Sequence, residues 1–345
     1  MTKAPSTALL EAFEIQAGAC EALGSPFMGR LCRILPEILP PPLLERLESF
    51  EGDLGPRGHS IPLRLCGALH ALRLQDRAGL AEVYPPEAPD DAALAAGIAR
   101  ALKEEADFIH EFIHSPPQTN EVRRSVALLP AAALLAGRRP LPFVLSELGA
   151  SAGLNLHFPD YAVETPGGLI GAETPALTLT PTWHGEAPEP APISLAGAAG
   201  ADLSPIDPVA DRLRLLSYLW PDQPERKALT EAALALPPVT VDKADAADWL
   251  EARLATPHPG CWHLVYHTIA WQYFPAAVQA RAEAAIRAAG ARATAEAPLA
   301  WLGMEQDGGS PGAGLRLRIW PEGEDIALAR VDFHGRWIDW SPRPI

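Results

Sequence analysis

Residues 141–156 read Leu-Pro-Phe-Val-Leu-Ser-Glu-Leu-Gly-Ala-Ser-Ala-Gly-Leu-Asn-Leu, and no other stretch restricts the fold as tightly. An apolar run, Phe143-Val144-Leu145, leads to an acid, Glu147, and then to a turn of small residues, Gly149 to Gly153. Short apolar runs ahead of a glycine-rich turn mark buried parallel strands, because both faces of such a strand are covered. Glycines at the carboxyl end of the strand let the backbone approach a ligand closely. The spacing is acid-x-Gly-x-Ser-x-Gly. A dinucleotide loop needs Gly-x-Gly-x-x-Gly, and the middle glycine is missing here; a phosphate-binding P-loop needs a lysine that is also missing. An acid two residues ahead of the first glycine suits a cationic or hydroxylated ligand better than a pyrophosphate. A tight strand-to-helix turn with no ligand would use the same residues.

Before this stretch the chain reads as helices. Residues 6–136 show apolar residues at helical spacing, such as Leu9, Leu10 and Phe13, or Leu65, Leu69 and Leu72, and no period-two alternation. Breaks fall at Gly24-Ser25-Pro26, at Pro36 and Pro40-Pro41-Pro42, and at Ser115-Pro116-Pro117. A helix is expected over 119–137 with Thr119 as its N-cap. It runs into the Phe143 strand, so its first turn, with Asn120, Glu121 and Arg124, should lie at the strand's carboxyl edge; the same residues could equally form a polar, solvated first turn.

After the stretch, residues 157–194 hold short β segments separated by Gly and Pro and read as an inserted β-arm. Strands then alternate with helices: a strand ending at Asp202, helices over 208–220 and 224–236, a strand ending near Asp245, and a helix over 246–254. Next come a strand over 261–267, a helix over 275–289, a strand over 298–304, and a pair at 315–320 and 326–333. That alternation predicts an α/β doubly wound, mostly parallel sheet closed by an antiparallel hairpin. The division expected is an all-helical domain over 1–118 and an α/β domain over 119–345 carrying the arm.

The 345 residues carry a formal net charge of −15, which tells against a nucleic-acid partner. The four cysteines are scattered, with no Cys-x-x-Cys pair, as expected of reduced thiols in the cytoplasm. No signal-peptide hydrophobic region and no run of about 18 apolar residues is found, so no membrane partner is expected. Oligomeric state is left open.

Successive strand ends carry side chains suited to a nucleoside. Asp202 could accept ribose hydroxyl protons, and Asp245 could accept adenine amino protons; either could instead serve a helix N-terminus. His263-Leu-Val-Tyr-His-Thr-Ile-Ala-Trp-Gln-Tyr-Phe-Pro runs a strand into an aromatic loop. His267 at its end is the candidate general base and Glu305 the runner-up, with His334 farther off. Trp271 and Tyr273 are expected to line an apolar substrate pocket beside His267, roofed by 119–124.

The acid-x-Gly-x-Ser-x-Gly spacing resembles motif I of class I S-adenosylmethionine-dependent methyltransferases, with Ser151 at the usual middle glycine. Gln118-Thr-Asn-Glu-Val-Arg-Arg-Ser, Asp202-Leu-Ser-Pro-Ile-Asp, Leu219-Trp-Pro-Asp-Gln-Pro-Glu-Arg and His334-Gly-Arg-Trp-Ile-Asp-Trp extend the likeness over nearly the whole chain. Together they resemble a bacterial domain-of-unknown-function family treated as having a class I methyltransferase-like core. The resemblance implies a Rossmann-like fold, S-adenosylmethionine as cofactor and a small-molecule substrate. By motif, Glu147, Gly149, Ser151 and Gly153 would form the cofactor loop, with Asn155 just beyond it and Asp202 as the ribose acid. The interval from Gly153 to Asp202 is far longer than the about 20 residues of an uninterrupted nucleotide unit. A noncatalytic binder of S-adenosylmethionine or a nucleoside is one alternative, and a zinc-dependent hydrolase using His110 and His114 is the other.

His110-Glu111-Phe112-Ile113-His114 matches the His-Glu-x-x-His pattern of zinc hydrolases, which would use Glu111 as base. No third ligand is evident downstream and a proline pair follows, so no metal is expected. The plainer reading is a helix end whose apolar stripe is Phe108, Ile109, Phe112 and Ile113.

Overall fold

The structure, a computed structural model, describes residues 4–118 and 120–345. The helices are α1 (Thr7–Ala22), α2 (Pro26–Ile38), α3 (Pro41–Glu48), α4 (Ile61–Leu74), α5 (Asp91–Glu104), α6 (Ala106–Phe112), α7 (Ser125–Arg138), α8 (Arg212–Ser217), α9 (Pro224–Leu234), α10 (Ala246–Arg253) and α11 (Ala276–Gly290). The strands are β1 (Phe143–Leu148), β2 (Tyr161–Thr165), β3 (Gly168–Gly171), β4 (Leu177–Leu179), β5 (Thr182–His184), β6 (Leu195–Asp202) and β7 (Val241–Lys243). They continue with β8 (Trp262–Thr268), β9 (Leu299–Glu305), β10 (Ala313–Trp320), β11 (Glu324–Val331) and β12 (Trp337–Pro344).

Two compact units emerge. One joins the described residues before Asn120 to Val209–Ala228; the other is Asn120–Pro208 with Leu229–Ile345. The first is helical, and it reclaims a segment expected to belong with the sheet. The reason is packing: Tyr218 and Trp220 are buried in the helical core, and a Cβ on Gly67 of α4 would lie 2.5 Å from the Tyr218 ring. His70 on α4 ties the segment further, donating from Nδ1 to the Ser217 carbonyl at 3.0 Å. Burial pushes the His70 imidazole down to about 4, so it stays neutral there.

Local rules account for most helix ends. Ser6, Ser25 and Asp90 accept from the backbone N–H three residues on, capping α1, α2 and α5. Pro36, expected to stop α2, lies inside it, and the helix ends within a turn, since a proline removes one donor and crowds the preceding turn. α7 starts at Ser125, after a 3-10 turn over Val122–Arg124, and not near 119; the proposed cap, Thr119, lies outside the described residues.

The second unit is a mixed α/β structure around a nine-stranded sheet in the order β5-β12-β11-β10-β9-β8-β1-β6-β7. β7, β6, β1, β8 and β9 pair in parallel, while β9 to β12 form an antiparallel meander. The arm is only partly separate. β3-β2-β4 make a small sheet of their own, but β5 returns to the main sheet and pairs in parallel with β12. β12 is not expected from the sequence, where Trp337 to Pro344 lacks a clean alternation, and neither is the pairing of β5 with it at the edge of the main sheet. The helical content expected over 208–220 shrinks to the six residues of α8.

β1 and β8 are buried along their full length, which is why they read as apolar runs. α10 and α11 cover one face through Leu250, Leu254, Ala282 and Ile286, packed on Leu148, Val265 and Trp301. β10 alternates buried and half-exposed residues, the pattern of a sheet with one open face.

Candidate functional site

From β1 the chain steps outward through β6 to β7, then returns to the other side of β1 for β8 and β9. The order reverses between β1 and β8, and in open α/β sheets such a reversal leaves a crevice outside the carboxyl ends. The turn after β1 sits there. Gly149 (φ 69°), Ser151 (φ 53°) and Gly153 (φ 74°) all adopt the left-handed conformation. For serine this costs about 1–2 kcal/mol, so the surroundings must hold it. They do so through Asp202 at the end of β6, whose Oδ2 accepts from the Ser151 N–H at 3.0 Å and whose Oδ1 accepts from the Ser204 N–H at 2.8 Å. The Gly149 and Ala150 N–H groups both donate to the Ala201 carbonyl, at 2.8 and 3.1 Å. A Cβ on Gly149 would lie 2.5 Å from the Ala270 Cβ, so the loop after β8 packs directly on this turn. The Ser151 hydroxyl is buried with no hydrogen-bond partner among the described residues.

Glu147 lies beneath the turn. Burial pushes its carboxyl well above the usual carboxylate range, against the pull of the Arg124 guanidinium. The Tyr266 hydroxyl is 3.5 Å from Glu147 Oε2 and donates more closely, at 3.1 Å, to the Asn155 carbonyl.

Four residues expected at the cofactor are engaged elsewhere. Asn120 Oδ1 accepts from the Leu154 N–H at 2.8 Å. Asn155, buried, accepts from the Ser125 hydroxyl at 2.9 Å and donates to the Glu121 carbonyl. Arg124 donates to the carbonyls of Thr268 and Phe333, both at 3.1 Å, and so staples the loops after β8 and β11. Asp245 caps α10, accepting from the Ala247 and Asp248 N–H groups. Each serves backbone left unpaired by a turn or helix start, a use that carries no ligand signal.

The expected reacting end is also rearranged. Strand alternation puts Glu147 and Tyr266 on one face of the sheet, and His263, Val265 and His267 on the other. His267 is therefore across the sheet from Glu147. Its Nδ1–H donates to Glu305 Oε1 at 2.8 Å, and its Nε2 accepts from the Trp301 Nε1–H at 3.0 Å. With both ring nitrogens bonded, His267 has no lone pair for a substrate, which corrects its reading as a general base. Glu305 Oε1 also accepts from the Ala270 and Trp271 N–H groups, at 2.9 and 3.0 Å. Burial pushes Glu305 up, but these bonds outweigh it and hold the carboxyl below its usual range. Glu305 thus orients the loop after β8 through Oε1, while its Oε2 is buried with no hydrogen-bond partner among the described residues. Trp271 stacks on His267 with ring centres 4.9 Å apart, while Tyr273 is 65% exposed.

A cavity of about 450 Å³ does lie beside His267 and Trp271, but it opens over the antiparallel strands. Arginines and acids line much of it, not the apolar wall expected, and neither Tyr273 nor residues 120–124 contribute. The sequence signal for this was present in the Leu-Arg-Leu-Arg alternation of β10, which puts two guanidiniums on one face.

In the helical unit α6 ends at Phe112, so His110 and His114 do not share a continuous helix face. His114 Nδ1 accepts from Arg46 at 3.0 Å. Among the described residues no group of three or more His, Cys, Asp or Glu side chains is placed to hold a metal ion. No helix among them is long and apolar enough to cross a membrane.

A family model described as "Uncharacterized protein conserved in bacteria (DUF2332)" matches residues 10–340, and the chain belongs to that family. No curated protein and no solved structure matches it.

Proposed function

We propose that the chain is a methyltransferase-like protein that binds S-adenosylmethionine outside the carboxyl ends of β1 and β6 and acts on a small molecule. The observation that carries the reading is the left-handed Gly-Ala-Ser-Ala-Gly turn at the reversal of strand order, bridged by Asp202 to the end of the neighbouring strand. Two features fit the cofactor. The orphaned Ser151 hydroxyl is a buried polar group in want of a partner, and a bound ligand would supply one. Asp202 stands at the strand end where a carboxylate would hold a ribose diol.

When bound, the sulfonium would supply the methyl group. The residues of the chain would do the rest: Asp202 and the turn would fix the nucleoside, and Arg124 would hold the loops after β8 and β11 in place around it. Glu147, its carboxyl pushed up by burial, would ionise more readily beside a cation. Methyl transfer depends chiefly on alignment of donor and acceptor, so the engagement of His267 and Glu305 does not count against it. The engagement of both His267 ring nitrogens does favour a second reading, a noncatalytic binder of the same nucleoside.

The first test is thermal. S-adenosylmethionine at a hundredfold excess over its dissociation constant should stabilise the fold by about 2.7 kcal/mol and raise the melting midpoint by a few degrees. Incubation with methyl-labelled cofactor and candidate small-molecule acceptors separates the two readings. Transfer of label supports the enzyme, and binding without transfer supports the binder.

A further inference from the structure

The cavity over the antiparallel strands is distinct from the crevice at β1, and a ligand in it would be independent of the cofactor reading. Its floor is bare because Gly303, Gly314, Ala327 and Ala329 project little or nothing from β9, β10 and β11. Neighbouring side chains sit over both glycines, the buried His267 ring over Gly303 and the movable Asp307 carboxylate over Gly314. A Cβ on Gly303 would lie 2.8 Å from the His267 ring, and one on Gly314 would lie 2.2 Å from Asp307 Oδ2. At one end stands an aromatic wall, with the Trp271 and Trp301 ring centres 5.4 Å apart and their planes 53° apart.

Three arginines of β10 and β11 reach the cavity, and the protein treats them differently. Arg316 forms a two-pronged pair with Asp325. Arg330 is saturated by both Asp307 oxygens, each at 2.7 Å, and by the carbonyls of Pro311 and Gly312. Arg318 is not closed. Its guanidinium lies 4.2 Å over the Trp301 ring and gives only Nε to Asp325, at 3.3 Å. Neither Nη group has an acceptor among the described residues, although the side chain is only 15% exposed. Burial already pulls this guanidinium's pKa down, with Arg316 adding to the effect. A half-buried fork with open N–H groups is the arrangement that recognises a carboxylate bidentately.

From this fork, the bare floor and the aromatic wall, we infer that the cavity binds a planar aromatic monocarboxylate, its carboxylate on the Arg318 Nη groups and its ring against Trp271. The volume suits a small molecule. Four arginines and four acids line the space and Asp325 is paired with two of those arginines, so no positive surplus is left for a polyanion; the carboxylate is matched to the open Arg318 fork alone.

The test is calorimetric titration of the full chain with naphthoate, with acetate, naphthyl phosphate and naphthylmethylamine as comparisons. One naphthoate should bind per chain, and each comparison ligand should bind at least about tenfold more weakly. Arg318→Met keeps the stem over Trp301 and should weaken naphthoate at least about tenfold, the loss expected when a charge-assisted pair is removed. Arg318→Lys, which has charge but no fork, should recover only part of it. Ser341→Trp, at an exposed position lining the cavity, should block binding while leaving Arg318 untouched; it decides the matter if Arg318→Met fails to fold. The inference is overturned if naphthoate gives no saturable heat, if the amine, phosphate or acetate binds as well, or if a folded Arg318→Met or Ser341→Trp binds naphthoate undiminished.

Discussion

The two halves of the large sheet solve opposite problems. In the parallel half both faces are covered, and every polar side chain on β1 and β8 has to be dealt with inside the protein. Ser146 donates to or accepts from His263 Nε2 at 2.8 Å and also accepts from Arg253 Nε at 2.7 Å. Burial pushes His263 down to about 3 and Glu147 up. In the antiparallel half one face is open, and charged side chains on it, such as Arg316 and Asp325, are shifted by their ion-pair partners. The contrast teaches where each kind of chemistry can occur. A strained non-glycine turn and groups displaced by full burial belong to the parallel half, and ion pairs that shift their own members, beside the unclosed Arg318 guanidinium, belong to the antiparallel half.

Matched glycine substitutions should sharpen that contrast most. Gly149→Ala forces a Cβ into a left-handed position and to within 2.5 Å of the Ala270 Cβ, at a cost of about 3 kcal/mol or more. Gly323, in the β10–β11 turn, is also left-handed (φ 71°), but nothing lies within 4 Å of its would-be Cβ. Gly323→Ala should therefore cost only the backbone strain, about 1 kcal/mol. Chemical denaturation of both variants checks this, and equal losses would break the comparison.

The next effect is in pH. Glu147 has a folded-state pKa raised above its unfolded value, so the stability it contributes is present below the ordinary glutamate range and is lost as pH rises toward the folded value. Glu147→Gln removes that loss. The variant should gain on the wild type as pH rises, by up to about 1.4 kcal/mol per pH unit in that window. Denaturation midpoints of the two proteins at about pH 5 and about pH 8 measure it. A difference that does not change with pH would mean that Glu147 is ionised in the fold.

The smallest effect belongs to the open face. Arg316 is paired with Asp325, but its side chain is 43% exposed. Arg316→Met should change stability by less than about 1 kcal/mol. A larger loss by the same denaturation assay would mean that this half of the sheet depends on its ion pairs.

What the sequence disclosed divides in the same way. β1 and β8 were legible because complete burial leaves a run of apolar residues, β9 because its first four residues are buried in the same way, and the β10–β11 pair because one open face leaves alternation. β12 and the return of β5 were not legible, since a short edge pairing between segments about 150 residues apart leaves no local pattern. The turn after β1 was read for its ligand, yet Ala270 alone explains why Gly149 has no side chain. His267 was placed beside a cavity, as found, but a sequence cannot reveal that Trp301 and Glu305 occupy both its nitrogens. Arg124, Asn120, Asn155 and Asp245 were polar residues near strand ends, and a polar residue there serves backbone as readily as ligand.

The central claim is that the turn after β1 and Asp202 form a nucleoside site, and calorimetric titration with S-adenosylmethionine and S-adenosylhomocysteine tests it most directly. Saturable binding of one ligand per chain is expected, weakened at least about tenfold in Asp202→Ala by the loss of a carboxylate bond to a ribose hydroxyl. No heat and no change in melting midpoint at millimolar ligand, with the protein folded, would contradict it.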